Sequence, residues 1–269
     1  MRRIAHISDV HFGREDPAVV TALLESIAAA RPDVIVVSGD LTQRARVLQF
    51  QQARAFLEAL PWVPRIVVPG NHDISATNLV QRLAHPLARY RRFITSDLAP
   101  FFADSEVALV GVNTVRVLSR KDGRINQRQV AASCARFAPL PPDVVRIVVT
   151  HHPMDLPFSD SRNALTARAA MAMGAFAGSA VDLFLSGHLH TRQTLSTAAR
   201  YRIEGFSAIV AQAGTAVSTR TRGEANSWNL IEVEQLAIAI QQKVWDGGAF
   251  VTAKTERYAK GATGWSGDR

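Results

Sequence analysis
The chain has 269 residues, 47% of them hydrophobic, enough to bury a sizeable core and too apolar for a disordered or low-complexity protein. Its net charge of +8 rests on arginine far more than lysine; that points either to an arginine-rich composition with no binding role or to an anionic partner such as a nucleotide, a phospholipid headgroup or nucleic acid. The single Cys134 excludes an internal disulfide and fits a reducing cytoplasm, no apolar run approaches a membrane span, and the stretch before Ser8-Asp9 is too short for a signal-peptide core.

Ile4 to Ile7 reads as a first strand, running into Asp9 and His11. Asp16 and Pro17 form an N-cap and first-turn pair for a helix over Ala18 to Ala30, and Arg31-Pro32-Asp33 ends it. Val34 to Val37 is a second strand, closing on Gly39-Asp40. Thr42 can cap a helix from about Gln43 to Leu60, with Val47, Phe50, Phe56 and Leu57 on its apolar face. Arg65 to Val68 is a third strand, stopped by Pro69 and Gly70. This alternation predicts parallel pairing with right-handed crossovers.

Asn78 to Arg92 predicts a helix carrying Arg82, His85, Arg89 and Arg92. Pro100-Phe101-Phe102 reads as a loop or apolar lip, Val107 to Val112 as a strand, Ser119 to Gly123 as a turn and Gln127 to Phe137 as a helix. Pro139, Pro141 and Pro142 stiffen the entry to a strand over Val144 to Val149, ahead of His151. Asn163 to Gly178 is helical, and Val181 to Leu185 is a strand that ends at Gly187-His188-Leu189-His190. Beyond it, Thr191 to Thr197, Phe206 to Ala213, Trp228 to Val233 and Leu236 to Trp245 are β-like without long helices between them. They predict antiparallel strands in a second sheet or at its edge. Residues 254–269 read as a mobile C-terminal tail, leaving a single domain over 1–253.

Five apolar runs thus end in Asp, Asn or His: Asp9-x-His11, Gly39-Asp40, Gly70-Asn71-His72-Asp73, His151 and Gly187-His188-x-His190. A polar residue closing one strand is ordinary, but the whole series in this order resembles the calcineurin-like metallophosphoesterase superfamily. The resemblance implies an α/β fold, a four-layer α/β/β/α sandwich of two mixed sheets. It also implies a site for two divalent metal ions. Oxygen and imidazole donors without thiolate suit Mn, Fe, Zn or Co. Two such ions roughly 3.5 to 4 Å apart can clamp a phosphate and hold a hydroxide between them.

By resemblance, Asp9, His11 and His190 complete one ion with Asp40, while Asn71, His151 and His188 complete the other with the same Asp40. A neutral Asn71 keeps the charge of the site low enough to admit an anion. His72, adjacent to a ligand but not one itself, is implied as the proton donor to the leaving group. Asp73 is the second residue assigned to catalysis, as a turn residue orienting its neighbours. His152, Arg82 and Arg89 are the substrate-binding candidates, and His6 reads as a buried or supporting histidine.

The blocks look most like the bacterial class III cyclic-nucleotide and glycerophosphodiester phosphodiesterases. Met154 replaces a proline common after His-His-Pro, and Leu189 replaces a common threonine. The expectation is therefore hydrolysis of a small phosphodiester by a metal-bridging hydroxide, in the cytoplasm. A phospholipase C-type activity at an anionic membrane surface stands beside it, with the Arg82-to-Arg92 helix and Phe93, Phe101 and Phe102 as the contact. A non-catalytic scaffold, a nuclease and a homodimer are kept as lesser readings.

Overall fold
Short Val- and Ile-rich runs become central strands when both faces of the pleat are covered by apolar partners. The computed structural model describes residues 1–75, 79–119, 121–157 and 165–267, and it covers these runs twice over. In the first half of the chain lie β1 (Arg2–Ile7), α1 (Pro17–Ala30), β2 (Val34–Val37), α2 (Val47–Ala59), β3 (Arg65–Val67), α3 (Leu79–Ala84), α4 (Ala88–Phe93), β4 (Phe101–Ala103), β5 (Val107–Gly111) and α5 (Gln127–Phe137). In the second lie β6 (Val145–Val149), α6 (Ala169–Gly178), β7 (Leu183–Ser186), β8 (Gln193–Ser196), β9 (Ile209–Gln212), β10 (Ser227–Glu234), β11 (Ala237–Trp245), β12 (Phe250–Gly261) and β13 (Gly264–Gly267).

Two mixed sheets result, in the orders β13-β12-β11-β10-β1-β2-β3 and β4-β5-β6-β7-β9-β8. Alternate residues sort to opposite faces. Val34 and Val36 of β2 meet Ile147, Val149 and Leu185 of the second sheet in a core between the sheets. Ile35 and Val37 face the other way, against Leu23 and Ile27 of α1 and Phe50 and Phe56 of α2. The outer face of the second sheet, with Val148 and Phe184, packs on Val130 and Phe137 of α5 and on Met173 and Phe176 of α6. Helix, sheet, sheet and helix are the four layers that the resemblance implied, and the parallel pairing of β1, β2 and β3 is as the alternation predicted.

Several local expectations are corrected. Thr42 does not cap a helix from Gln43. Its hydroxyl bonds the Asp73 carboxylate at 3.0 Å, and α2 starts only at Val47, with Gln49 Oε1 accepting the Arg44 and Arg46 amides. The helix expected over Asn78 to Arg92 is two short ones, because Pro86 between them has no N–H to continue the ladder. Asn78, Asn163 and Ala164, where two helices were expected to begin, lie outside the described residues. Phe101 and Phe102 are not a lip but an edge strand pairing with Val110 and Leu109. Ile209 to Gln212 pairs in parallel with β7, and β10 and β11 return to the first sheet beside β1 instead of extending the second. The expected tail is strand as far as Gly267: β12 pairs with β11, and Trp265 of β13 is buried with its indole nitrogen 2.8 Å from Asp182. A buried tryptophan with a satisfied N–H is a strong anchor.

Candidate metal centre and active site
Parallel strands of an α/β sheet collect polar groups at their carboxyl ends. Asp9 and His11 follow β1, Asp40 follows β2, Asn71 opens a 3-10 turn after β3, His151 follows β6, and His188 and His190 follow β7. Strand pleating is not what aligns the Asp9/His11 and His188/His190 pairs. Asp9, His11, Asp40, His188 and His190 all adopt left-handed backbone, with φ of 52°, 47°, 51°, 77° and 63°. Each such residue costs about 1–3 kcal/mol and persists only where its surroundings over-determine it. Here they do so through backbone bonds between loops: Asp9 N to Gly39 O at 3.1 Å, His11 N to Asp40 O at 3.0 Å and Gly187 N to His151 O at 3.1 Å.

Two groups of donor atoms form. In the first, His11 Nε2 lies 3.3 Å from His190 Nε2, 3.6 Å from Asp9 Oδ1 and 3.7 Å from Asp40 Oδ2, and His190 Nε2 is 3.4 Å from Asp9 Oδ1. In the second, Asn71 Oδ1 lies 3.1 Å from His151 Nε2 and 3.0 Å from His188 Nδ1, and His151 Nε2 is 3.5 Å from Asp40 Oδ2. Asp40 Oδ2 belongs to both. Ligand atoms around one ion stand about this far apart when each is roughly 2.0–2.2 Å from it. Asp9 Oδ1 is buried and makes no hydrogen bond among the described residues, as a carboxylate oxygen awaiting a cation would. The donor set therefore fits divalent ions.

The comparisons agree with this geometry. Residues 2–192 match the family model for calcineurin-like phosphoesterases. The chain belongs to that family. Over an 85-residue stretch it is 38% identical to the glycerophosphodiester phosphodiesterase GpdQ of Enterobacter lignolyticus; the match spans 27% of this chain and only 30% of that protein. Two solved structures share the fold at low identity. A dimetal phosphatase from Danio rerio superposes with a TM-score of 0.66 at 13% identity over 94% of this chain and 99% of its own. The purple acid phosphatase PPD1 from yellow lupin gives 0.66 at 10% identity over 93% and 52%. Among the described residues no helix is long and apolar enough to cross a membrane.

In this calcineurin-like phosphoesterase, the histidines are aimed from behind. His151 Nδ1 bonds Ser38 O at 2.8 Å, and His190 Nδ1 lies 2.9 Å from both Arg220 O and Thr215 Oγ1. A carbonyl on one ring nitrogen holds the proton there and leaves the other nitrogen bare for a ligand bond. Burial penalises charge on His151, yet Asp40 and Asp9 beside it push its pKa up to about 9. Burial, reinforced by His151, lowers His188 to about 3. Burial alone would raise Asp40, but His151, His72 and His11 hold it well below the usual carboxylate range.

His72 is outside both groups. Its backbone N–H donates to Asp40 Oδ1 at 2.8 Å, its Nδ1 meets Gln43 O at 2.8 Å, and its ring stands edge-on to His11 at 4.8 Å between centroids. Asp73 does not face the groups. It is buried and accepts from Gly70 N, Leu41 N and Thr42 N at 2.9, 3.2 and 2.9 Å, so it ties the loop after β2 to the loop after β3 and orients Asp40 and His72.

Of the three substrate-binding candidates, two are engaged with backbone carbonyls. His152 is wholly buried, its Nδ1 2.8 Å from Thr114 Oγ1 and its ring packed on His151 and His188, while its Nε2 makes no hydrogen bond among the described residues and lies with the donor atoms of those two histidines. Arg82 is buried and donates to the carbonyls of Val117, Ser75 and Ser119; Arg89 donates to Ala45 O at 2.7 Å. Both brace loops. His6 is buried as expected, its Nε2 2.9 Å from Ser38 Oγ. Sequence reasoning missed Arg220, whose Nη1 reaches to 3.3 Å from His72 Nε2; it follows no strand-end motif and nothing in its neighbourhood flagged it.

Gly70 and Gly187 let the loops approach this closely. A methyl at Gly70 would overlap Asp40 Oδ1 and the Asp40 amide, and one at Gly187 would overlap Ser8 Oγ and lie 2.5 Å from Asp9 Oδ2. Gly70→Ala is expected to lower stability by about 1–3 kcal/mol, the cost of overpacking, and to reduce bound metal with it. Thermal melting and elemental analysis check this; wild-type values in both would show that the loops can part without harm.

Proposed function
We propose that this protein is a phosphodiesterase that works with two divalent metal ions and hydrolyses small diesters of the glycerophosphodiester or cyclic-nucleotide kind. The observation that carries it is the position of Asp40 Oδ2, 3.7 Å from His11 Nε2 in one donor group and 3.5 Å from His151 Nε2 in the other. One carboxylate shared by two groups is what a paired site requires. Asp9, His11 and His190 would hold one ion with Asp40, and Asn71, His151 and His188 the other. When bound, the ions would supply Lewis-acid neutralisation of the phosphate and bring the pKa of a water toward neutrality. Oxygen and imidazole donors suit Mn, Fe, Zn or Co.

The chain's own residues do the rest. Asn71 contributes an oxygen without charge, which limits repulsion of an anionic diester. With Nδ1–H donated to Gln43 O, the His72 ring is held so that only Nε2 can exchange a proton with a leaving oxygen. The name of the partly matching relative, glycerophosphodiester phosphodiesterase, supports a diester over a monoester. Within the segment that the membrane-surface alternative invokes, Arg82 and Arg89 serve backbone carbonyls, which weakens that reading.

The test is a substrate panel on Mn²⁺-loaded protein: bis(p-nitrophenyl) phosphate, p-nitrophenyl phosphate, cyclic AMP and glycerophosphodiesters, with metal content measured in parallel. About two ions per chain and a preference for diesters are expected. One ion with full activity would overturn the paired site, and faster monoester turnover would overturn the diester assignment.

A further inference from the structure
We propose that Arg220 binds the anionic, non-reacting oxygen of the substrate phosphate, a role that rests on the phosphoesterase reading above. Arg220 is half-buried beside the ligand groups, with Nη1 3.3 Å from His72 Nε2 and 3.4 Å from Gln43 Oε1. Among the described residues no carboxylate stands within ion-pair distance of it. Asp9 and Asp40 face histidines, and the nearby Glu224 holds Arg192 at 2.9 Å. A guanidinium facing only neutral acceptors in a partly dry site lacks the counter-charge such groups usually find. A phosphate oxygen is the acceptor its planar fork suits best.

Its placement is not loose. The Arg220 carbonyl accepts from His190 Nδ1 at 2.9 Å, and the Arg220 amide donates to Ser218 Oγ at 3.2 Å. Ser218 and Thr219 in turn donate to Arg14 O at 3.2 and 3.0 Å, just beyond His11. The backbone of Arg220 is thus locked to a ligand histidine, and its side chain crosses to His72 on the other side of the same donor group. His72 Nδ1 is committed to Gln43 O, so Nε2 is the acceptor of the Arg220 N–H. An arriving phosphate offers the guanidinium a charged acceptor in exchange for a neutral one, and the exchange frees Nε2 to take up a proton from water.

The experiment compares wild type, Arg220→Ala, Arg220→Gln and Arg220→Lys, all metal-loaded. It measures inorganic phosphate affinity by calorimetry, ion content, and kcat and KM on bis(p-nitrophenyl) phosphate. Loss of one charge-assisted hydrogen bond should weaken phosphate by roughly 10- to 100-fold in the Ala and Gln variants, with ion content unchanged. KM should rise more than kcat falls, and Lys should recover part of the affinity. Phosphate affinity within twofold of wild type in Arg220→Ala would overturn the proposal. So would loss of ions in every variant including Lys, which would make the residue a support for His190. If the variants lose phosphate but wild type hydrolyses no diester, the anion site stands and the diester assignment falls. If diesters are hydrolysed and phosphate affinity ignores residue 220, the reverse holds.

Discussion

Asp40→Ala is expected to remove both ions and to reduce phosphodiester turnover by at least roughly 10²- to 10³-fold, since each ion is worth several kcal/mol of charge stabilisation. The reason is geometric. Asp40 Oδ2 is the one carboxylate oxygen near His11 in one donor group and His151 in the other, while Oδ1 accepts the His72 amide at 2.8 Å. Removing it leaves His151 buried without the carboxylate that balances it, and frees the turn that carries Asn71 and His72. Asp40→Asn separates these effects: an amide can still accept from His72 N–H but brings no charge. Asn71→Ala and His151→Ala touch only the second group and should each disturb mainly one ion. Elemental analysis and kcat/KM across the four variants check this. Two ions and a near-wild-type rate in Asp40→Ala would show that the carboxylate is not shared.

His72→Ala should leave both ions in place and lower kcat/KM by roughly 10²- to 10⁴-fold, the usual worth of a general acid. No atom of the His72 ring belongs to either donor group, and its backbone bond to Asp40 survives truncation at Cβ. The loss should depend on the leaving group. An alkoxide such as glycerol needs a proton to depart and should show the full effect; p-nitrophenolate departs with little help and should show much less. The measurement is kcat/KM of wild type and variant on a glycerophosphodiester and on bis(p-nitrophenyl) phosphate, with metal content in each. An equal loss on both would assign His72 to stabilising phosphoryl charge. Loss of metal would return it to the ligand set.

Much of this protein is written locally. The runs that became β1, β2, β5, β6 and β7 are mostly apolar, despite His6 in β1 and Arg146 in β6, and lead into Gly, Asn, Asp or His, so strand and polar terminus can both be read without a partner in view. Helix α1 is equally plain, because Asp16 accepts from Ala18 N at 2.9 Å as its position before Pro17 implies. What tertiary structure decided is of two kinds. The first is backbone: left-handed φ at Asp9, His11, Asp40, His188 and His190 is held by bonds between loops far apart in the chain, and although Asp and His enter that region more readily than most L-residues, that preference alone does not mark which of them adopt it. The second is return. Strand β10 comes back 225 residues after Arg2, by the Arg2–Ser227 starts of the two strands, to pair with β1. Arg220 arrives opposite His72 from a loop with no motif of its own. Residues 254–267 become strand because β11 offers a ladder and Asp182 a partner for Trp265, where composition alone suggested a free end. Local pattern names the groups able to bind a metal. Only contacts between distant segments decide which atoms of those groups meet, and which unheralded residue faces them.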